Sequence, residues 1–210
     1  MFYKMKNCNT FECLLENLIS EYKSFETNLY FVFIGGCSRS GKTTLVKMLC
    51  SEFHERNIES IVFSLDNYLL GIKERSGKET VRERYNYKQI ELDLQKIKQG
   101  DKISPPFYDA KTRSVLKSKK QSPLFIKKGI CVVEGVVALD LLKVNEWAMT
   151  RVFVEVEDNI RLNRLNEFYT EFKGLSHKEA KRIIDEREIE EVSTVKETKK
   201  NADYIFSENI

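Results

Sequence analysis

Residues Gly36-Cys37-Ser38-Arg39-Ser40-Gly41-Lys42-Thr43 carry the spacing G-x-x-x-x-G-K-[ST], and this segment constrains the chain more than any other. Such a loop works only between a strand and a helix. The strand delivers it to a sheet edge, the glycines let successive N–H groups turn inward around an anion, and the following helix aims its positive end at the same point. The flanks fit. Leu29–Ile34 is a short apolar, aromatic run, and Thr43–Glu55 puts Leu45, Val46, Leu49 and Phe53 on one helical side. Gly36, Cys37, Ser38, Arg39, Ser40, Gly41, Lys42, Thr43 and Thr44 are therefore the candidate nucleotide-binding segment. Lys42 is set to reach β- and γ-phosphates, and the Thr43 hydroxyl to ligate Mg²⁺.

The rest of the chain alternates in the way that loop requires. An amphipathic helix is expected over 9–24, with Phe11, Leu14, Leu15, Leu18, Ile19 and Tyr22 on one face. Further strands are expected at Ile58–Phe63, Gly129–Glu134, Arg151–Val156 and Asn201–Phe206. Helices are expected through Ile90, Leu94 and Ile97 up to Gly100, over Leu139–Val144, over Asn159–Tyr169 and over Ser176–Val192, with a break at Lys173-Gly174. Residues 67–86 lack a clear period and read as loop. All three prolines fall between residues 100 and 125, which makes that stretch irregular or an edge hairpin. Apolar strands alternating with helices indicate a three-layer α/β fold: a mainly parallel sheet of five strands, covered by helices on both faces. One domain over 1–210 is expected, with an N-terminal helix in 1–26, a hairpin insert at 101–128 and a helical lid at 165–178.

Composition narrows the class. With 35 basic and 32 acidic residues, the net charge of +3 argues against nucleic acid or a membrane surface as the main partner. No apolar run approaches the ~20 residues needed to cross a bilayer, and the N-terminus lacks the pattern of a signal peptide. Five irregularly spaced cysteines do not form a disulfide framework, so a reduced, cytoplasmic setting is expected. The N-terminal helix either packs on the sheet or mediates dimerisation.

Two carboxylates close strands at the edge that carries the loop. Asp66 follows Ile58–Phe63 in Ser64-Leu65-Asp66, and Glu134 closes Gly129–Glu134 before Gly135. Phosphoryl transfer to a hydroxyl needs one carboxylate to orient the acceptor and take its proton, and an acidic group to hold Mg²⁺ directly or through water. As isolated features, a turn-forming Asp and a helix-capping Glu explain them equally well; beside the loop, the catalytic reading gains.

At this point the chain resembles the uridine kinase family of P-loop nucleoside kinases, related to phosphoribulokinase and pantothenate kinase. The resemblance covers residues 30–206 and rests on six segments in order. They are the phosphate loop, Ser64-Leu65-Asp66-Asn67-Tyr68, Gln99-Gly100 through Pro106-Phe107-Tyr108-Asp109, Val132-Val133-Glu134-Gly135, Asp158 through Arg161-Leu162-Asn163-Arg164, and Ala202-Asp203. It implies an ATP- and Mg²⁺-dependent kinase acting on a small-molecule alcohol, a nucleoside such as uridine or cytidine. It further implies Asp66 as base, Lys42, Arg161 and Arg164 as catalytic cations, and Glu134 with Thr43 at the metal. Asp66, Tyr68, Tyr108, Asp109 and Arg113 would lie at the acceptor.

Three departures mark the acceptor side. The family's acidic His-Pro-Asp stretch has no clear counterpart in Arg84-Tyr85-Asn86-Tyr87-Lys88-Gln89. The places of an aromatic residue and a base-contacting His after Tyr108-Asp109 hold Ala110 and Arg113. The lid runs Leu165-Asn166-Glu167-Phe168-Tyr169 where the family repeats arginines. Residues 110–133 carry Lys111, Arg113, Lys117, Lys119, Lys120, Lys127 and Lys128 and no acid. This run reads either as a solvated hairpin or as cations beside an acidic or phosphorylated acceptor. A GTPase is disfavoured by the lack of an N-K-x-D motif, and a P-loop ATPase module by the lack of an ABC-type signature.

Overall fold

The computed structural model describes residues 5–25, 28–77, 79–141, 147 and 150–207. Its centre is a six-stranded, wholly parallel sheet. In chain order the strands are β1 (Lys6–Cys8), β2 (Leu29–Gly35), β3 (Ser60–Ser64), β6 (Gly129–Glu134), β7 (Thr150–Val154) and β8 (Tyr204–Phe206). Across the sheet they run β1-β8-β7-β2-β6-β3. The remaining two strands, β4 (Pro106–Asp109) and β5 (Ser114–Lys120), form an antiparallel hairpin outside the sheet.

Period-two alternation sorts the strand side chains into two cores. Phe31, Phe33, Cys131 and Val133 face one side, where they meet helix α3 (Tyr87–Lys98) through Ile90, Leu94 and Ile97. Tyr30, Val32, Ile34, Ile130 and Val132 face the other, against helices α1 (Phe11–Ser24) and α2 (Lys42–Glu55). Every residue of β6 is buried, as a central parallel strand covered on both faces must be. Each fully buried Phe or Leu here contributes about 1.5–3 kcal/mol. A third, small core of Leu165, Tyr169, Ala180 and Ile184 forms between helix α4 (Asp158–Glu167), the turn that follows it and helix α5 (His177–Arg187).

The expected five strands become six because β1 was not anticipated. It has three residues, of which only Cys8 is buried, so it carries no periodic signal. It gains strand geometry from pairing with β8, Lys6 to Tyr204 through Cys8 to Phe206. The described residues of 67–86 are not a free loop. They fold as short 3-10 turns, bridge Leu69 to Tyr85, and bury Tyr68, Val81 and Tyr85 in the first core. The helix expected over Leu139–Val144 shows one 3-10 turn at Ala138–Asp140; its remainder lies outside the described residues.

The segment expected as one helix over Ser176–Val192 starts on a reciprocal cap, in which Ser176 and Glu179 each bond the other's backbone N–H. It then passes through a π-turn at Glu188–Val192 into α6 (Ser193–Glu197). A second π-turn, Phe168–Phe172, extends α4. The N-terminal helix packs on the sheet: the Tyr30 hydroxyl donates to Glu21 Oε2 at 2.8 Å, and Thr150 Oγ1 also donates to that carboxylate. No helix among the described residues is long and apolar enough to cross a membrane.

Candidate active site

Strand β2 ends in Gly35, and the phosphate loop turns back from it. Gly36 has φ +143°, and a Cβ there would fall 2.5 Å from the Val154 carbonyl oxygen, so only glycine fits. Within the loop, Arg39 holds φ +64°, uncommon for a side-chain-bearing residue. Lys42 opens α2 and is buried. Its Nζ donates to the carbonyls of Gly36 (3.0 Å) and Cys37 (2.7 Å), so the ammonium is held beneath the loop. Burial pushes its pKa down; the carboxylates of Glu134 and Asp66 work against that.

Sheet register brings the second group into place. Glu134 is level with Ile34 of β2 on one side and Ser64 of β3 on the other. Its carboxylate accepts from Thr43 Oγ1 at 3.2 Å through one oxygen and from Ser64 Oγ at 2.7 Å through the other. Hydroxyl and carboxylate oxygens are the hard donors Mg²⁺ takes. No group of three or more His, Cys, Asp or Glu that could hold a metal is gathered among the described residues. Such a sparse set suits an ion that keeps several waters and binds through one or two carboxylates plus phosphates. The residues present therefore fit Mg²⁺ bound with a nucleotide.

Asp66 lies just past the end of β3, exposed at the floor of a cleft of about 1190 Å³ that also holds Lys42, Thr43 and Glu134. Enclosure by the cleft walls, then the charge of Glu134, push the Asp66 pKa up. Lys42 and a hydrogen bond from Tyr85 oppose the shift.

The other expected site residues divide. Ser38, Arg39, Gly41, Thr44, Tyr108, Arg113 and Arg164 also line this cleft. Tyr68 does not. It is buried, stacks on Phe63 with centroids 5.0 Å apart, and donates to Asp93 Oδ2 at 2.9 Å. Asp109 is spent on the hairpin turn, accepting from the Lys111 N–H (2.9 Å) and the Thr112 hydroxyl (2.6 Å). Arg161 is buried outside the cleft lining and pairs with Glu188 and with Asp158 at 3.5 Å. Asp203 likewise pairs with Arg151.

Several lining residues escaped the sequence reading. Tyr85 lines the cleft with Asp66 from the segment expected as loop; the pair Val81 and Tyr85, four apart, was its only signal. Arg75 comes from the same segment, and Arg84 pairs with Glu191 at 3.9 Å. Lys173 and Phe168 come from the expected lid, where Phe168 lies 3.8 Å beneath the Arg39 guanidinium.

Known proteins share this architecture. A possible uridine kinase from Bacillus stearothermophilus superposes with a TM-score of 0.61 at 20% identity, covering 93% of this chain and 96% of that one. A D-glycerate 3-kinase from Cryptococcus neoformans var. grubii gives 0.62 at 11% identity, covering 88% and 87%. The fold is that of the P-loop kinases. In sequence, the chain is 26% identical over 137 residues to the uridine kinase of Leuconostoc citreum, covering 62% of this chain and 64% of that protein. It is 25% identical over 171 residues to uridine kinase-like protein 5 of Arabidopsis thaliana, covering 77% of this chain and only 35% of the relative. The chain thus spans about a third of the plant relative's length and just under two thirds of the bacterial one's. The family model described as "Phosphoribulokinase / Uridine kinase family" matches residues 31–209, and the chain belongs to that family.

Proposed function

We propose that this chain transfers the γ-phosphoryl group of ATP, with Mg²⁺, to a hydroxyl of a small molecule. One observation carries the reading: the parallel register places Lys42, Thr43, Glu134 and Asp66 at the ends of the neighbouring strands β2, β6 and β3, around one cleft. Each has a chemical task there. The inward-turned N–H groups of the loop and the Lys42 ammonium meet the charge on the transferring group. Thr43 and Glu134 would hold Mg²⁺, which when bound would supply charge neutralisation at the transferring group. Asp66 accepts the hydroxyl proton of the acceptor; its raised pKa brings it closer to the operating pH, which favours that transfer.

For the acceptor, relatives named for uridine support a nucleoside such as uridine or cytidine, with Tyr108 offering a ring and a hydroxyl at the cleft wall. A second reading, an acidic or phosphorylated alcohol, is favoured by a specific observation: nine Lys and Arg against five Asp and Glu line the cleft. Release of ADP from Mg·ATP, assayed over nucleosides and small acidic or phosphorylated alcohols, tests the phosphotransferase reading. ATP turnover that no alcohol accelerates, or that persists in Lys42→Ala, would overturn it.

A further inference from the structure

Many cations among the described residues sit on a carboxylate. Arg56 pairs with Glu16, Arg82 with Asp140, Arg151 with Asp203 and Lys199 with Glu155. The hairpin wall of the cleft differs. Three segments that are distant in sequence meet there. The Ile72 N–H donates to the Arg113 carbonyl at 2.8 Å, tying the segment after β3 to the turn between β4 and β5. Arg75 Nη2 reaches the Tyr108 hydroxyl at 3.4 Å. Lys173, past the end of the first π-turn, donates to the Ala110 carbonyl. The contacts bring Arg75, Arg113 and Lys173 to one wall, and all three line the cleft.

None of the three forms an ion pair with a carboxylate among the described residues. Arg75 gives its Nε to the Leu70 carbonyl (2.8 Å), Lys173 lies over the Phe168 and Phe172 rings, and among the described residues Arg113 shows no side-chain hydrogen bond or ion pair. Asp109, the acid nearest to Arg113 in sequence, is engaged in the turn. Their mutual repulsion is felt. Burial lowers the pKa of Arg75 and of Lys173; the charge of Arg113 lowers both further, while Tyr108 opposes the shift at Arg75 and the Asp109 carboxylate opposes it at Lys173. Arg113 also holds φ +54°, so the chain accepts an uncommon backbone angle at this cation. The phosphate loop has its own positive groups in Lys42 and the start of α2, and these three cations come from other elements.

We propose that the acceptor carries a carboxylate or phosphate group, and that Arg75, Arg113 and Lys173 form the subsite that binds it. The guanidinium groups supply planar paired donors, and the ammonium a compact charge from the opposite segment. The inference rests on the phosphotransferase reading, and deepens it by naming the acceptor's class.

The test runs in two stages on the full chain. First, Mg²⁺ and the non-hydrolysable ATP analogue AMP-PNP are titrated by calorimetry; failure to bind sinks the phosphotransferase reading itself. Second, the AMP-PNP-saturated protein is titrated at fixed ionic strength with methylphosphonate, with glycolate and with neutral glycerol. At least one anion should bind saturably and glycerol should not. Arg113→Asn, which tolerates the positive φ, and Lys173→Gln should each weaken the anion by about tenfold or more while AMP-PNP affinity stays unchanged. No saturable anion binding to the wild-type nucleotide complex would overturn the subsite. So would anion affinity unaltered in both variants. Efficient phosphorylation of uridine that Arg113→Asn leaves unchanged would overturn it as well.

Discussion

Glu134 ends β6 and Asp66 lies two residues past the end of the neighbouring strand β3, and their surroundings differ. Glu134 has both oxygens engaged, one by Thr43 and one by Ser64. Asp66 is open to the cleft. Asp66→Asn keeps the size and loses the proton acceptor. Its kcat should fall by about 10²–10⁴ while the KM for Mg·ATP changes little, which steady-state kinetics would show. Glu134→Gln should instead raise the Mg²⁺ concentration needed for half-maximal rate; an unchanged Mg²⁺ dependence would remove it from the metal. These two, with Lys42 and Thr43, were legible because a spacing motif and strand-end positions name them without knowledge of side-chain direction. Tyr68 and Asp109 were legible as residues and not as placements. Both sit in the resembling segments, but Asp93 on α3 draws Tyr68 into the core, and the 111–112 turn draws Asp109 into a cap. Direction at such positions is decided by partners far away or by a tight turn, and neither leaves a periodic trace.

At the scale of elements, the sheet and its covering helices followed from apolar runs and from amphipathic spacing. The segment past Asp158 did so only in part. Its helix starts were readable from chemistry such as the Ser176–Glu179 cap, whereas the two π-turns were not, since each inserts a residue without changing the apolar pattern enough to mark it. This segment also stands apart energetically, because Leu165, Tyr169, Ala180 and Ile184 pack on one another and not on the sheet. A small core of that kind opens independently of the larger ones. Ile184→Ala should therefore cost about 2–5 kcal/mol locally. Hydrogen exchange should show amides of α5 losing protection while those of β2 and β6 keep theirs. Equal loss in the sheet would mean that the two helices and the sheet unfold as one unit. Because Lys173 and Phe168 belong to the same segment, the variant should also weaken acceptor use more than nucleotide binding.

The whole molecule separates its chemistry from its anchoring along the strand direction. The phosphate loop, Asp66 and Glu134 lie at the carboxyl ends of the strands, where parallel α/β sheets bind ligands. At the opposite ends, Tyr30 near the start of β2, Thr150 at the start of β7 and Tyr204 at the start of β8 converge on Glu21 of α1. One carboxylate thus ties the N-terminal helix to three strands, and β1 completes the edge by pairing with β8. The amphipathic face of α1 was visible in the sequence. Its partner was not, because a Glu on the polar side of a helix ordinarily meets water, and the three hydroxyls that meet it here come from strands 9 to 183 positions away. Glu21→Ala leaves those hydroxyls without their shared acceptor, at a cost of about 1–3 kcal/mol. At about 2–4 °C per kcal/mol for a chain of this size, Tm should drop by several degrees in a calorimetric scan. Since none of the four residues lines the cleft, kcat and the KM for Mg·ATP should stay at wild-type values below the new transition. A variant that keeps its Tm would show that α1 is held by its apolar face alone. One that loses turnover with Tm intact would show that the amino ends of the strands are coupled to the cleft, contrary to the division of labour in this sheet.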